Sequence, residues 1–171
     1  EAPRNKVVEI LFNEKIYFKN IFFQYADQHQ IFKDLNFELY KSEKVALIGK
    51  SGSGKSTFID LLSGLNIPTH GKIQIDKTPL TNLNRDAWSS KITYIPQEDY
   101  FLDESVMENI LLGSNLEQFD FERLKWACKI ALVDEFLEIS KSGLELFMGE
   151  NGNKFSGGQK QRIGIARALY R

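Results

Sequence analysis

The sequence predicts an α/β fold in which a parallel core lies beside an antiparallel β layer and carries an inserted helical segment. Three observations lead to this prediction. A short apolar run at 44–48 precedes a glycine-rich stretch and an apolar helical pattern, the strand–loop–helix order of a parallel α/β unit. Alternating apolar and polar residues at 31–40 indicate an antiparallel strand. Helical spacing of apolar residues then dominates 105–146.

The composition is that of one globular domain with a sizeable core: 171 residues, 42% hydrophobic and 26% charged. A net charge of −1 gives no electrostatic reason to expect nucleic acid as a partner. Cys128 is the only cysteine, which excludes an internal disulfide, favours a reducing compartment and indicates a small buried hydrophobe. No apolar run approaches the length of a membrane span, and the first residue is not Met, as in a piece of a longer protein.

The first half of the chain predicts strands on both sides of two helices. Residues 1–15 are charged and mixed, as in a linker. The predicted elements are strands at 16–25, 31–40, 44–48, 72–76 and 91–95 and helices at 55–65 and 83–89, the second capped by Asn82 or Asn84.

The second half of the chain is predicted to be helical. Ser105 and Glu108 have the spacing of a capping box, and Asp120 and Asp134 are candidate caps of two further helices. Residues 143–153 are loop-like, and 156–171 form a last helix with one apolar face.

The glycine-rich stretch at 49–56 matches the pattern G-x-x-x-x-G-K-[ST] without a gap. Small residues let backbone N–H groups surround phosphate oxygens, and the following helix adds the positive end of its dipole. Lys55 supplies a charge to the phosphates, and the Ser56 hydroxyl is a ligand for Mg²⁺. The alternative is a chance match, which the flanking strand and helix patterns argue against.

A second glycine motif, Phe155-Ser156-Gly157-Gly158-Gln159, lies about a hundred residues further on. Ser156 is placed to cap a helix, and the two glycines allow backbone N–H groups close to a phosphate. Taken alone, the motif is equally well explained as a capped helix with a flexible beginning.

Together the two motifs resemble those of the ATP-binding-cassette (ABC) family. The segment FSGGQ is similar to the family signature LSGGQ, and KQRIGIARAL continues it. Tyr25 resembles the aromatic residue that stacks on adenine, and Gln97 resembles the glutamine that approaches Mg²⁺ and the attacking water. Residues 149–152 resemble the exporter X-loop GERG, with Asn151 in place of Arg. The resemblance extends over nearly the whole chain from residue 16.

The resemblance implies a P-loop NTPase core of the ABC ATPase type, with an antiparallel β layer and an α-helical subdomain at about 102–155. Residues 1–15 would be a linker from a preceding membrane domain, and 16–171 a partial nucleotide-binding domain. The family's Walker B Asp-Glu pair and switch His would follow Arg171, and His29 and His70 lie too early to replace the latter. We therefore expect a fold incomplete at its C-terminus that binds MgATP and does not turn it over.

The implied function is that of the ATP-binding domain of an exporter-type transporter, an ATPase that works as a head-to-tail homodimer. Its cofactors would be ATP and Mg²⁺, with the metal held by Ser56 and Gln97. Its partner would be a transmembrane domain upstream in the same polypeptide, at the cytoplasmic face of a bacterial inner membrane. The implied site consists of Tyr25, Gly49, Lys50, Ser51, Gly52, Ser53, Gly54, Lys55, Ser56, Thr57 and Gln97 of one copy and Ser156, Gly157, Gly158 and Gln159 of the other.

Two other functions use the same glycine motifs. One is a soluble ABC-family ATPase of DNA repair or translation, which the exporter-like X-loop and the absence of a basic patch argue against. The other is a non-catalytic nucleotide-binding module. A P-loop kinase or GTPase is disfavoured because no N-K-x-D motif is present and Tyr25 suits adenine stacking. The transported substrate is not encoded in this chain.

Overall fold

The computed structural model describes residues 10–26, 29–96, 99–116 and 118–171. The chain forms two compact units, Glu1–Ile92 and Thr93–Arg171. Within the described ranges, no helix combines the length and apolar character needed to cross a bilayer.

The first unit contains an antiparallel sheet in the order β2-β1-β3-β4. Its elements are β1 (Lys15–Phe23), β2 (Phe32–Tyr40), α1 (Lys55–Leu62), β3 (His70–Ile75), β4 (Thr78–Pro79) and α2 (Arg85–Ser89). The strands predicted at 16–25, 31–40 and 72–76 are confirmed, as is the antiparallel pairing of the second. The helix predicted at 83–89 begins at Arg85 with Asn84 as its N-cap residue, although the Asn84 side chain does not cap the helix.

Alternate residues of β1 build the core on which helix α1 lies. Phe18 pairs with Ile73 of β3 and is fully buried. Its ring stacks on that of Phe58 at 5.2 Å between centroids, and Leu61, one turn further along α1, is also fully buried. Because alternate strand residues share one face of a sheet, this buried face holds α1, which begins directly after the glycine-rich loop.

Two predicted strands, 44–48 and 91–95, are wrong, because both segments are irregular in the structure. Val45 and Leu47 are exposed, and Ile48 is 95% exposed. An apolar run becomes a strand only where a neighbouring strand completes its backbone hydrogen bonds, and no described strand pairs with either segment. The described residues accordingly contain no parallel strand pair.

The second unit is helical. It consists of α3 (Val106–Ile110), α4 (Phe121–Ile130), α5 (Asp134–Leu137), α6 (Gly157–Tyr170) and short 3-10 helices at Gly143–Glu145 and Glu150–Gly152. Helix α6 packs against α3 and α4, with Ile163 of α6 and Leu124 of α4 fully buried. Cys128 is buried in the same core, which confirms its interpretation as a small hydrophobe.

Three of the four helix caps predicted in this unit, at Ser105, Asp120 and Ser156, are confirmed. Ser105 and Glu108 form the capping box, and Asp120 accepts a 2.9 Å hydrogen bond from the N–H of Arg123. Asp134 is not a cap, because helix α5 has Val133 as its N-cap residue and Asp134 as its first residue. The backbone N–H of Val133 bonds to Cys128 O at 2.9 Å, so the turn from α4 already places Val133 in helical conformation.

Candidate functional site

The glycine-rich loop forms a tight turn that leads into helix α1. Gly52 and Gly54 have φ angles of 78° and 88°, a region that residues with a Cβ rarely adopt. A Cβ at Gly54 would also lie 2.9 Å from Ile31 Cγ2 and 3.1 Å from Phe32 Cζ. Gly54 is therefore required both by its backbone angle and by the close approach of the residues at the beginning of β2.

Lys55 is turned back toward the loop. Its Nζ donates to the carbonyl oxygens of Gly49 at 2.9 Å and Lys50 at 2.8 Å, and lies 3.5 Å from Ser53 Oγ. The ammonium group thus lies inside the curve of the loop, where backbone N–H groups and the beginning of α1 also favour an anion. This is the arrangement that a polyphosphate requires.

The loop residues fit a magnesium-bound nucleotide. The backbone is so closely curved that a Cβ at Gly49 would lie 2.6 Å from Ser53 Oγ. Ser56 is exposed in the first turn of α1, next to Lys55, where its hydroxyl is available to a cation on the phosphates. The described residues hold no group of three or more His, Cys, Asp or Glu side chains suited to a metal. Mg²⁺ bound to a nucleotide usually has phosphate oxygens and waters among its ligands, and the Ser56 hydroxyl would join them.

Tyr25 is half-buried and is held against α1. Its hydroxyl oxygen lies 3.2 Å from Asp60 Oδ2 and 3.4 Å from Thr57 Oγ1. Its ring packs edge-on against Phe23, with centroids 5.0 Å apart. Tyr25 and the phosphate loop are therefore attached to the same helix. Gln97, which was also predicted to lie in the nucleotide site, is outside the described residues.

The second glycine motif begins helix α6 with a complete capping box. The N–H of Gln159 donates to Ser156 Oγ at 3.3 Å, and the N–H of Ser156 donates to Gln159 Oε1 at 2.8 Å. Apart from the adjoining residues and the helix's own backbone, no atom lies within 4 Å of the Cβ positions of Gly157 and Gly158, so this side of the first turn is open to a ligand. Capping accounts for Ser156 and Gln159, and the open surface is what an anion at a helix N-terminus needs.

Phe155, which stands where the family signature has Leu, is a core residue. It is 9% exposed, and its ring packs edge-on against Phe136 at 5.9 Å. The departure from the family pattern is therefore accommodated by packing beneath the motif. Asn151, the departure in the X-loop, has a φ of 50° within the 3-10 helix, a conformation that Asn tolerates better than most residues.

Helix α6 is joined to the segment after Gln97 by a buried arginine that the sequence did not single out. Arg167 donates to Asp99 Oδ1 at 2.7 Å, to Tyr100 O at 3.1 Å and to Asn109 O at 2.8 Å. Its guanidinium also lies over the Phe101 ring, 5.0 Å from the centroid. Burial lowers the pKa of Arg167 from its ordinary value, and the neighbouring Asp99 opposes that effect. The arginine thus fixes residues 99–101 to the helix that begins with the signature motif.

Comparison with known proteins identifies the family to which the chain belongs. The chain matches the ABC transporter family over residues 32–171 and belongs to that family. It is 35% identical over 159 residues to the lactococcin-G-processing and transport ATP-binding protein LagD of Lactococcus lactis subsp. lactis, covering 93% of this chain and 22% of the relative. It is 36% identical over 153 residues to a multidrug resistance ABC transporter ATP-binding and permease protein of Lactococcus lactis subsp. lactis strain IL1403, covering 90% of this chain and 26% of the relative.

Among solved structures, the fold matches that of a bacterial Atm1-family ABC exporter determined with ATP bound. The TM-score is 0.86 and the sequence identity 29%, over 99% of this chain and 29% of that one. This match confirms the ABC ATPase fold class. The chain spans about a quarter of the length of each of these three proteins.

Proposed function

We propose that the chain is the ATP-binding domain of an exporter-type ABC transporter, a membrane-associated ATPase. The observation that carries the proposal is the position of Lys55. Its ammonium group lies 2.9 Å from Gly49 O. The surrounding loop, in which Gly52 and Gly54 have positive φ angles, leads directly into α1. Few functions other than polyphosphate binding explain a cation, a helix N-terminus and a tight glycine-rich turn in one place.

The nucleotide in this proposal is ATP with Mg²⁺. Lys55 and the loop N–H groups contact the β- and γ-phosphates, and Ser56 contacts the metal together with Gln97. Tyr25 stacks on the adenine. Tripolyphosphate carries most of the interaction, and the aromatic ring distinguishes a nucleotide from a free phosphate chain.

A second copy of the chain would complete the site. In this arrangement Ser156, Gly157, Gly158 and Gln159 of one copy contact the γ-phosphate held by the loop of the other. The open N-terminus of α6 supports the arrangement, since Gly157 and Gly158 leave room for a phosphate above the helix end. ATP would then join two copies head to tail, and hydrolysis would release them.

The proposed partner is a transmembrane domain in the same polypeptide, with residues 1–15 as linker, 16–171 as part of the nucleotide-binding domain and about 102–155 as its helical subdomain. The relatives support this partner because their names join ATP binding to transport or permease function. The names of the relatives give less support to a soluble ATPase of DNA repair or translation. We place the domain at the cytoplasmic face of a bacterial inner membrane.

A polypeptide consisting only of residues 1–171 is proposed to bind MgATP without multiple turnover. Phosphoryl transfer needs a group that orients the attacking water, in addition to the positioning of the phosphates. The chain offers Lys55 and Ser56 for positioning, and the family resemblance places the water-orienting carboxylate beyond Arg171. The names of the relatives, which join ATP binding to transport or permease function, also give less support to a non-catalytic nucleotide-binding module.

Two pairs of variants in the dimeric transporter test the proposal. In the first pair, one chain carries both Lys55→Ala and Ser156→Arg and its partner is unchanged, so both composite sites contain one defect. In the second pair, one chain carries Lys55→Ala and the other Ser156→Arg, which puts both defects in one site and leaves the second site intact. Both pairs contain the same substitutions in total.

The measurement is the amount of a nonhydrolysable ATP analogue that stays with each dimer through gel filtration. We expect retention of about one nucleotide by the second pair and none by the first. Equal retention by the two pairs would show that the loop and the signature motif do not share a nucleotide across copies.

A further inference from the structure

The hydroxyl of Tyr25 is the centre of a hydrogen-bond network formed by α1 and the turn that follows it. The oxygen lies 3.2 Å from Asp60 Oδ2, 3.4 Å from Thr57 Oγ1 and 3.4 Å from Asn66 Nδ2. A carboxylate only accepts and an amide nitrogen only donates. The phenol therefore donates to Asp60 and accepts from Asn66 and Thr57, which uses its single proton and both lone pairs.

This network attaches the tyrosine ring to the helix that carries the phosphate loop. Thr57, which is 6% exposed, is adjacent to Ser56, and Asp60 lies on the next turn of α1. The N–H of Asn66 bonds to Asp60 O at 3.1 Å, so the turn that supplies the third partner is itself tied to the helix. The distance from the ring to the phosphate site is therefore set by one rigid element.

We propose that Asp60, with Thr57 and Asn66, positions the Tyr25 ring for stacking on the base of a bound adenine nucleotide. This inference rests on the proposed function, which supplies the nucleotide. A ring that is already held in place loses less side-chain entropy when the base binds, and this raises affinity for the base without adding a contact. Asp60 and Asn66 act through Tyr25 and are positioning residues.

The test compares two ligands that share the phosphate chain and differ in the base. The dissociation constants of MgATP and of magnesium tripolyphosphate are measured for the 171-residue chain and its variants, and their ratio is the readout. Tyr25→Phe keeps the ring and removes the hydroxyl, and Asp60→Leu removes the acceptor. We expect each to raise the ATP-to-tripolyphosphate ratio about threefold to tenfold, the effect of one hydrogen bond.

The ratio separates positioning from other effects of the substitutions. Removal of the Asp60 charge changes the affinity for both phosphate chains in the same direction, so it cancels in the ratio. Asp86→Leu removes a carboxylate that is 97% exposed on α2 and should leave the ratio unchanged. Asn66→Ala removes one of the two donors to the phenol and is expected to raise the ratio less than Asp60→Leu.

The outcomes distinguish this inference from the function on which it rests. If the unchanged chain binds both ligands and Tyr25→Phe and Asp60→Leu leave the ratio unaltered, the positioning role is wrong and the proposed function stands. If Asp60→Leu abolishes tripolyphosphate binding, Asp60 supports the phosphate site and its role is not confined to the base. If the unchanged chain binds neither ligand, the proposed function fails and the positioning role fails with it.

Discussion

Arg167 and Asp99 form an ion pair with a 2.7 Å separation in which the two side chains are only 10% and 18% exposed. A second arginine of the same helix, Arg162, pairs with Glu135 at the same 2.7 Å, but these side chains are 40% and 59% exposed. The two pairs have the same N–O distance and different burial. Removing one partner of a buried pair leaves an uncompensated charge, whereas water solvates the remaining partner of an exposed pair.

We therefore predict that an arginine-to-methionine substitution destabilises the second unit more at Arg167 than at Arg162. Arg167→Met should lower the free energy of unfolding of the second unit by about 3 kcal/mol, and Arg162→Met by less than about 1 kcal/mol. Chemical denaturation followed by circular dichroism at neutral pH measures both. Similar losses for the two variants would mean that the Asp99 pair is as accessible to solvent as the Glu135 pair.

Substitution of Gly164 by alanine is predicted to destabilise the second unit because the Asp99 carboxylate lies close to it. A Cβ at Gly164 would lie 2.5 Å from Asp99 Oδ2. Glycine-to-alanine changes inside a helix normally stabilise it by about 1 kcal/mol, but here the added methyl group must displace Asp99 from Arg167. Gly164→Ala should therefore lower the melting temperature, and Gly158→Ala, with open space around its Cβ, should not. A more stable Gly164→Ala variant would show that Asp99 moves away at little cost.

Cys128 is predicted to be unreactive in the folded chain. Burial, with the nearby charge of Asp134, raises the pKa of its thiol to about 12. At pH 8 the thiolate fraction is then smaller by roughly a thousandfold than that of a free cysteine. Labelling with a thiol reagent should be slow in buffer and rapid in denaturant. Rapid labelling of the folded chain would place Cys128 at the surface.

The first unit is predicted to lose stability in acid because the Asp76 carboxylate, which stabilises it, becomes protonated. Partial burial raises the pKa of its carboxyl, but hydrogen bonds from the N–H groups of Asn13, Lys15 and Glu14 outweigh this, and the net pKa is lowered. The resulting stabilisation is fully present above the unfolded-state pKa of about 3.9 and is lost as the pH falls through the folded-state pKa.

Asp76→Asn should accordingly lower the melting temperature at pH 7 and have a smaller effect at about pH 3. Asp86→Asn, on the exposed side of α2, serves as the control and should not change the pH dependence. If the melting temperature of Asp76→Asn stays below that of the unchanged chain by the same amount from pH 7 to about pH 3, ionisation of the Asp76 carboxylate is not the cause.

Local sequence signals predicted the elements that local interactions determine. Strand alternation at 31–40 and the Ser105–Glu108 capping box depend on neighbours in sequence, and both are present in the structure. The apolar run at 44–48 looked equally clear, yet it is irregular, because a strand also requires a paired neighbour. Asp134 was assigned as a cap from its residue type alone, and the turn after α4 moves the beginning of the helix to Val133.

The positions of the two glycine motifs at the beginning of helices were predictable from the sequence. The glycine loop and the signature were visible as short patterns, and the structure places each at the beginning of a helix. The contacts that hold the surrounding side chains were not predictable, because Tyr25 and Asp60 are 35 residues apart and Asp99 and Arg167 are 68 apart. The one available signal for Gly164 was a glycine inside an otherwise strong helical pattern, which indicates a close approach by another group.

The most direct test of the account is calorimetric titration of the 171-residue chain with MgATP. We predict binding of one nucleotide per chain, weakened at least about tenfold by Lys55→Ala, because charge-assisted hydrogen bonds to the phosphates are lost. Lys77→Ala, which removes an exposed lysine from the turn between β3 and β4, should bind like the unchanged chain. Absence of binding, or equal affinity of the chain with and without Lys55, would contradict an ATP site at the glycine loop.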